Sequence, residues 1–467
     1  MNHNKKELNV IMYLFFSLFL LLGGYFSYFL FFESKTVINN PYNARQENFA
    51  KEVVRGPIFS NNNEILAETI ISDGVETRYY PYGSLFSHIV GYADYGKSGI
   101  EQFTNFGLLS SDISILEKMV HDFSGIKDDG NKVITTLDLE LQQVAYEALG
   151  NKQGAVVAID PSTGKILAMV SKPDFNPNKI AAILSETGTE NAEETFLLNR
   201  TTQGLYPPGS TFKIVTALAY MRENPDTYKD FLYTCDGVLE VGDYSIRCYN
   251  GKAHGEVDLK EAFAKSCNGA FASMGLSLDL DSFKLLSDSL LFNKDLPLSL
   301  PYKNSSFVLK SGDSDWEILQ SSIGQGKTMI TPIHNALLAA TIANNGTLMK
   351  PYFLDRIENY HGDLVEKYLP ETFAQLMSIE ETIMLTEYMQ ASVEEGTGYG
   401  LKGASYTAAG KTGTAEHTQN GNPHAWFIGF APVTNPVIAI SVIVENAGTG
   451  SEYAVPIAKK IMDAYLK

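Results

Sequence analysis

At 467 residues and 44% hydrophobic content the chain can bury more than one core, so two or three domains are expected. Its net charge of −18, with a sequence pI near 4.9, argues against nucleic acid or anionic lipid as a surface partner. Three cysteines, Cys235, Cys248 and Cys267, are too few for a disulfide framework and lack the paired C-x-x-C spacing of a zinc site. No metal or cofactor is therefore expected. Cys235 and Cys248 can pair, or all three thiols can stay free.

From Val10 to Phe32 the chain runs 23 residues without a charge, enough to cross a bilayer as a helix. Lys5 and Lys6 precede it, which favours a cytoplasmic N-terminus and places everything after Glu33 outside. A cleaved signal peptide would end in an A-x-A-like site, and none lies near Gly23 or Ser34, so an uncleaved anchor is expected over residues 1–32.

Residues 33–132 read as a small pedestal. Arg55-Gly56-Pro57-Ile58-Phe59 and Ile65-Leu66-Ala67 flank an Asn61-Asn62-Asn63 turn. Glu101 is the one carboxylate that stands out, and it is expected to be a solvated or capping residue.

The main domain is expected over 133–467. Val133-Ile134-Thr135-Thr136 reads as a strand, and Asp138 caps a helix whose apolar positions Leu141, Val144, Ala145 and Ala148 repeat at helical spacing. Two apolar runs, 154–160 and 166–170, are joined by Pro161-Ser162-Thr163-Gly164, a hairpin turn. Ser162-x-x-Lys165 falls on that turn rather than on a helix, so it is assigned no chemistry. A polar, acidic connection then runs to Arg200 and reads as a solvated loop.

Tyr206-Pro207-Pro208-Gly209-Ser210-Thr211-Phe212-Lys213 has a different character. Pro207, Pro208 and Gly209 keep the chain out of a helix up to Gly209, and the apolar run from Phe212 to Ala219 then reads as buried helix. Residues i and i+3 share a face, which sets Lys213 beside the Ser210 hydroxyl at the positive end of a helix. An apolar setting disfavours the ammonium, so neutral Lys213 is expected to take the Ser210 proton.

Leu259–Lys265 reads as a helix ending at Ser266-Cys267-Asn268-Gly269, where a hydroxyl and an amide two residues apart can face one cleft. Ser266 can instead simply cap the helix behind it. Ser60-x-Asn62 matches the same short pattern but lies in an ordinary turn. Gly410-Lys411-Thr412-Gly413-Thr414-Ala415 is small enough to let another backbone lie along an edge strand. It is not a phosphate loop, because Ser405 stands where a Walker A needs glycine, and Gly326-Lys327-Thr328 fails alike at Ser321. His424–Phe430 and Val437–Val444 follow as strands, and Val455–Leu466 as a closing amphipathic helix.

Ser210-x-x-Lys213, Ser266-x-Asn268 and Lys411-Thr412-Gly413, in that order, form the motif set of penicillin-binding proteins and serine β-lactamases. With Ile323-Gly324-Gln325-Gly326, Gly396-Thr397-Gly398 and Trp426–Phe430, the region from Val133 onward resembles the transpeptidase domain of class B penicillin-binding proteins, of the short penicillin-binding protein A type. The resemblance implies an α/β (α+β) fold, a five-stranded antiparallel sheet between helix layers. It also implies a serine D,D-transpeptidase that crosslinks peptidoglycan stem peptides ending in D-Ala-D-Ala and is acylated by β-lactams. By motif position, Ser210 is the nucleophile, Lys213 and Ser266 move protons, and Asn268 holds the peptide amide. Lys411, Thr412 and Thr414 bind the terminal carboxylate beside Gly413, and the N–H groups of Ser210 and Thr414 form an oxyanion hole. In the pedestal Arg55, Gly56, Ile58, Asn62, Leu66 and Ala67 fit the family pattern, whereas Ser60, Asn61 and Asn63 replace Asp, Arg and Gly. No glycosyltransferase fits between 33 and 132, so the resemblance implies a membrane glycan polymerase partner of the shape or division family. A β-lactamase would need a Glu-x-x-x-Asn base between Asn268 and Lys411, and none is found. A carboxypeptidase shares all three motifs, while a scaffold would tolerate their loss.

Overall fold

The computed structural model describes residues 3–34, 37, 50–186, 194–416 and 421–467. The helix that opens it stands clear of the rest of the chain: Lys6–Glu33 is 28 residues long and contains an 18-residue stretch with a mean hydropathy of 2.0, none of it buried. A helix of that length and character is stable in a bilayer, where every backbone group is satisfied within the segment. The protein is a membrane-anchored one.

The central sheet is five-stranded and antiparallel, in the order Ala409–Ala415, His424–Ala431, Ile438–Val444, Gly154–Ile159, Ile166–Lys172. Four of its strands read as largely apolar runs rather than alternating ones because both faces are covered, while the edge strand Ala409–Ala415 is made of small and polar residues. On one face lies the wholly buried helix Pro332–Ala343, with the Ser210 region beyond it. On the other lie Leu139–Leu149 and Val455–Tyr465. Asp138 caps the first of these as expected, accepting from Leu141 N at 2.8 Å. Ala409–Ala415 is an edge strand, so half its backbone groups face away from the sheet.

A second sheet of six strands orders Leu364–Lys367, Leu354–Glu358, Lys132–Thr135, Ile58–Phe59, Ile65–Ser72 and Val75–Tyr79. It draws strands from two distant stretches of the chain. Gln142 ties the pedestal turn Gly83–Phe86 to the central sheet, donating to Leu85 O and Met169 O and accepting from Met169 N, all at 2.8–2.9 Å. One apolar cluster continues from Ile58 and Ile89 through Ile166 to Ile333 across the same junction. The pedestal is thus packed against the main domain rather than strung from it.

Glu101 departs from the sequence expectation. It is neither solvated nor a cap: its side chain is fully buried, with Arg55 at 2.6 Å and Arg78 at 2.7 Å. Tyr80 also donates to it at 3.2 Å. A single-residue reading missed it because both partners lie more than 20 positions away. The acidic connection before Arg200 contains a helix, Ile180–Glu186, and a short turn, Glu194–Leu197, while residues 187–193 lie outside the described residues.

Candidate active site

Ser210 lies in a 3-10 turn, Gly209–Phe212, that runs directly into the α-helix Lys213–Glu223. The turn is held from three sides. Gly209 adopts φ +53, and a Cβ there would meet Thr414 O at 2.7 Å, so only glycine lets the turn touch the Lys411 strand. Its N–H donates to Gly324 O at 2.8 Å, and Trp426 Nε1 donates to Pro207 O at 3.0 Å. Phe212 anchors the turn from below, with ring centroids at 5.3 Å from Phe307 and 5.5 Å from Phe292. Ser210 itself stays partly exposed.

Lys213 is fully buried, and its Nζ reaches Asn268 Oδ1 at 2.7 Å, Ser266 O at 2.8 Å and Ser266 Oγ at 3.2 Å. The Ser210 and Ser-x-Asn motifs therefore meet through the lysine. Ser266 sits between two helices, Leu259–Ala264 and Asn268–Ser277, in a left-handed conformation, φ +56. That rare backbone state is stored strain of the kind that aims a side chain at a site. Ser266 caps neither helix: Lys265 is the C-cap of the one behind it, and Cys267, whose sulfur accepts from Ala270 N at 3.5 Å, is the N-cap of the one ahead. Asn268 is held from its other end, Nδ2 donating to Arg247 O at 2.8 Å.

Lys411 is the second buried lysine. Its Nζ donates to Thr412 O at 3.1 Å, and its charge lies over the Phe263 ring at 5.6 Å. Among the described residues neither lysine has a carboxylate within ion-pair distance. Burial lowers Lys213 to about 8, with the nearby Cys267 and Cys248 thiols opposing the shift. Burial also holds Lys411 well below an ordinary lysine, and the Lys213 charge adds to that.

Gly413 leaves the strand open to the nucleophile turn, since a Cβ there would meet Pro208 O at 2.9 Å and Thr211 Cγ2 at 3.1 Å. Thr412 Oγ1 bonds Thr397 Oγ1 at 2.5 Å, and Thr397 N donates to Ala264 O at 3.2 Å. The Gly396–Gly398 loop thereby bridges the Lys411 strand and the helix before Ser266. Thr397 was not assigned a role from sequence, although Gly396-Thr397-Gly398 is one of the segments that carry the resemblance. Gln325, also unassigned, pairs its side-chain amide with the Glu416 backbone at the end of the strand, donating to Glu416 O at 3.1 Å and accepting from Glu416 N at 3.2 Å.

The second Ser-x-x-Lys behaves as a turn. Ser162 Oγ donates to Asp160 Oδ1 at 2.8 Å, and Lys165 closes the hairpin through Asp160 N and its own carbonyl at 2.9 Å.

The sequence leaves open whether Cys235 and Cys248 pair or all three thiols stay free, and the structure brings all three together as free thiols. Cys235 and Cys248 sulfurs are 3.7 Å apart and unbonded, and Cys248 and Cys267 sulfurs 3.8 Å apart.

Comparison with known proteins agrees with this geometry. Residues 154–463 match the penicillin binding protein transpeptidase domain, and residues 55–133 the penicillin binding protein A dimerisation domain. The chain is 33% identical over 445 residues to the peptidoglycan D,D-transpeptidase PbpA of Mycolicibacterium smegmatis, covering 88% of this chain and 89% of that protein. Among solved structures, penicillin-binding protein A from M. tuberculosis as its ceftriaxone acyl-enzyme superposes with a TM-score of 0.82 at 28% identity, covering 90% of this chain and 100% of that one. A D,D-transpeptidase domain from Eggerthella lenta gives 0.80 at 29% identity, covering 89% and 98%.

Proposed function

The chain belongs to the penicillin-binding protein transpeptidases, and from that membership and the geometry above we propose how its own residues carry out the reaction. The protein is a membrane-anchored peptidoglycan D,D-transpeptidase that works through a serine acyl-enzyme and binds β-lactams. The single observation that carries the assignment of roles is Lys213 Nζ, buried and shared between Ser266 and Asn268 one helical turn after Ser210.

Ser210 Oγ attacks the carbonyl of the penultimate D-alanine, and its proton passes to neutral Lys213. Negative charge develops on the carbonyl oxygen, facing the N–H groups of Ser210 and Thr414. The C–N bond then breaks. The leaving nitrogen takes a proton through Ser266 Oγ from Lys213, and the terminal D-alanine departs. Asn268 orients the peptide amide. An acceptor amine from a neighbouring stem reverses the sequence, releasing Ser210 and forming the crosslink.

Lys411, Thr412 and Thr414 receive the terminal carboxylate, with Gly413 keeping the approach clear. An unpaired lysine in a buried site is poorly charged alone, and an incoming carboxylate supplies the missing counter-charge. Binding and charging of Lys411 are therefore coupled, which favours substrates that end in a carboxylate.

The proposed organisation is an anchor over 1–32, a pedestal over 33–132 and a transpeptidase domain over 133–467, with the N-terminus cytoplasmic and the catalytic domain outside. Lys5 and Lys6 before the apolar helix support that orientation. Crosslinking also needs fresh glycan strands, so a membrane glycan polymerase is the partner that fits.

The test is labelling of detergent-solubilised full-length protein with a fluorescent penicillin, beside Ser210→Ala. A label that persists for hours and disappears in the variant supports the reading. Label lost within seconds would mean a hydrolytic lactamase instead, and a folded protein that never labels would remove the enzymatic assignment.

A further inference from the structure

All three cysteines of the chain and one of its eight histidines converge on one point. Cys235, Cys248, Cys267 and His254 each direct one donor atom into a cluster in which every pair lies within 4.8 Å. They come from four separate places. Cys235 ends the strand Leu232–Cys235, His254 precedes its partner Gly255–Asp258, Cys248 follows the strand Tyr244–Arg247, and Cys267 caps the helix Asn268–Ser277.

The distances discriminate between uses of these groups. A disulfide would bring two sulfurs to about 2.05 Å, whereas the neighbouring pairs here are 3.7 and 3.8 Å apart. Tetrahedral zinc with Zn–S of about 2.3 Å puts its sulfurs about 3.8 Å apart, and with Zn–N of about 2.05 Å sets sulfur and nitrogen about 3.5 Å apart. Cys235 Sγ to His254 Nδ1 is 3.4 Å. Packed thiols and a thiol–imidazole hydrogen bond would account for these contacts pair by pair, whereas a metal ion accounts for all four donor atoms gathering within 4.8 Å of one another.

The surroundings suit the charge that such a centre carries. Three thiolates and one zinc ion sum to −1, and the backbone N–H groups of Asn268 and Gly269 face the Cys248 sulfur while Ala270 N faces Cys267. These donors are the first turn of a ten-residue helix, where negative charge is favoured.

We propose that Cys235, Cys248, His254 and Cys267 form a Cys3His structural zinc site that fixes the Ser266–Asn268 turn of the active site. Binding is a proton-for-metal exchange with no redox step: the thiols lose their protons, and three S–Zn bonds and one N–Zn bond form. Cys267 is the middle residue of Ser266-x-Asn268, so the ion clamps the turn that holds Lys213. Cys235, Cys248 and His254 belong to the two β-ribbons of residues 232–258, which already reach the turn through Arg247 O and Asn268. The ion would join those ribbons to the catalytic helix. Twelve, five and twelve residues separate the four ligands, a spacing that no C-x-x-C search detects.

The experiment uses full-length protein purified under reducing conditions, with metal content measured and zinc then exchanged for cobalt(II). One zinc per chain is expected, with an intense near-ultraviolet thiolate-to-cobalt band and the visible bands of a tetrahedral ion. Cys248→Ser should lose the band, and His254→Ala should weaken and shift it. Should either variant misfold, chelation and zinc re-addition on the unaltered chain decide the matter. Removing the ion should slow fluorescent-penicillin acylation about tenfold or more, because the Ser-x-Asn turn loses its fixed position. Restored zinc should restore the rate.

Protein that carries no zinc and gives no cobalt–thiolate band overturns the site, as does a native disulfide among the three cysteines found by mass measurement without reductant. Bound zinc whose removal leaves acylation unchanged overturns the positioning role. A zinc-loaded protein that never labels would count against the Ser210 chemistry instead, while the cobalt spectrum would still support the metal site.

Discussion

Two clusters of buried charge, one in the pedestal and one in the cleft, are built on opposite plans. In the pedestal Glu101 is enclosed by Arg55 and Arg78, with Asn105 and backbone carbonyls taking further guanidinium N–H groups. Burial by itself pushes the Glu101 carboxyl upward, but the two arginine charges and their hydrogen bonds outweigh it and hold it below the ordinary value. In the cleft, Lys213 and Lys411 are equally buried and have no carboxylate partner among the described residues, so burial pushes both down. The first arrangement holds structure together. The second withholds a counter-charge that substrate can bring, and leaves one amine able to work as a base. Burial of a charged residue is thus informative only once its partners are counted.

Lys213→Met tests that contrast most severely. If the lysine is the proton acceptor, acylation by penicillin should fall about 10²–10⁴-fold. Because the amine it replaces has no counter-charge but does make three hydrogen bonds, the two effects oppose each other and the melting temperature should change by only a few degrees. A loss of melting temperature with acylation intact would make Lys213 a structural residue like Glu101. The reverse profile is expected in the pedestal. Glu101→Gln leaves two guanidinium groups buried without their carboxylate, at a cost of about 3–5 kcal/mol. Denaturant unfolding should show that loss, while the variant still labels at normal rate at a temperature where it is folded.

The cleft also predicts a pH dependence whose sign follows from the direction of the shift. Burial lowers Lys213 to about 8, so its neutral, proton-accepting form grows as pH rises through that value. Acylation should climb about tenfold per unit from about pH 6 toward about pH 8 and then level off. Measured as second-order rate constants, the profile should flatten in Lys213→Met. A rate that declines over the same range would require the charged lysine and contradict the proposed proton path.

How much of this was legible beforehand depended on distance along the chain. Ser210 and Lys213 could be paired from helical spacing, and the hairpin copy at Ser162 could be set aside, because both depend on residues three apart and on local turn chemistry. The five-stranded sheet was legible as four apolar runs and one small-residue edge strand, although their order was not. The six-stranded sheet was not legible: Leu354–Glu358 and Leu364–Lys367 lie more than 200 residues from the strands they extend. Glu101 was misread for the same reason, and the four metal-type donors were passed over because their spacing is set by two ribbons and a helix rather than by one turn. Spacing within an element is written in the sequence, whereas convergence of elements is a property of packing.

Thr397 offers the mildest and most selective probe of the cleft. Its hydroxyl meets Thr412 Oγ1 at 2.5 Å, and through its backbone it spans to the helix before Ser266, so it fixes a carboxylate-binding hydroxyl without touching either lysine. Thr397→Val keeps the shape and removes one hydrogen bond, a loss of about 1 kcal/mol or roughly fivefold. That loss should appear in the concentration dependence of acylation, as weaker initial binding, with the limiting acylation rate and its pH profile unchanged. A reduced limiting rate with unchanged binding would place Thr397 on the proton path with Lys213 and Ser266. The cleft would then be one connected network rather than a base on one side and a carboxylate site on the other.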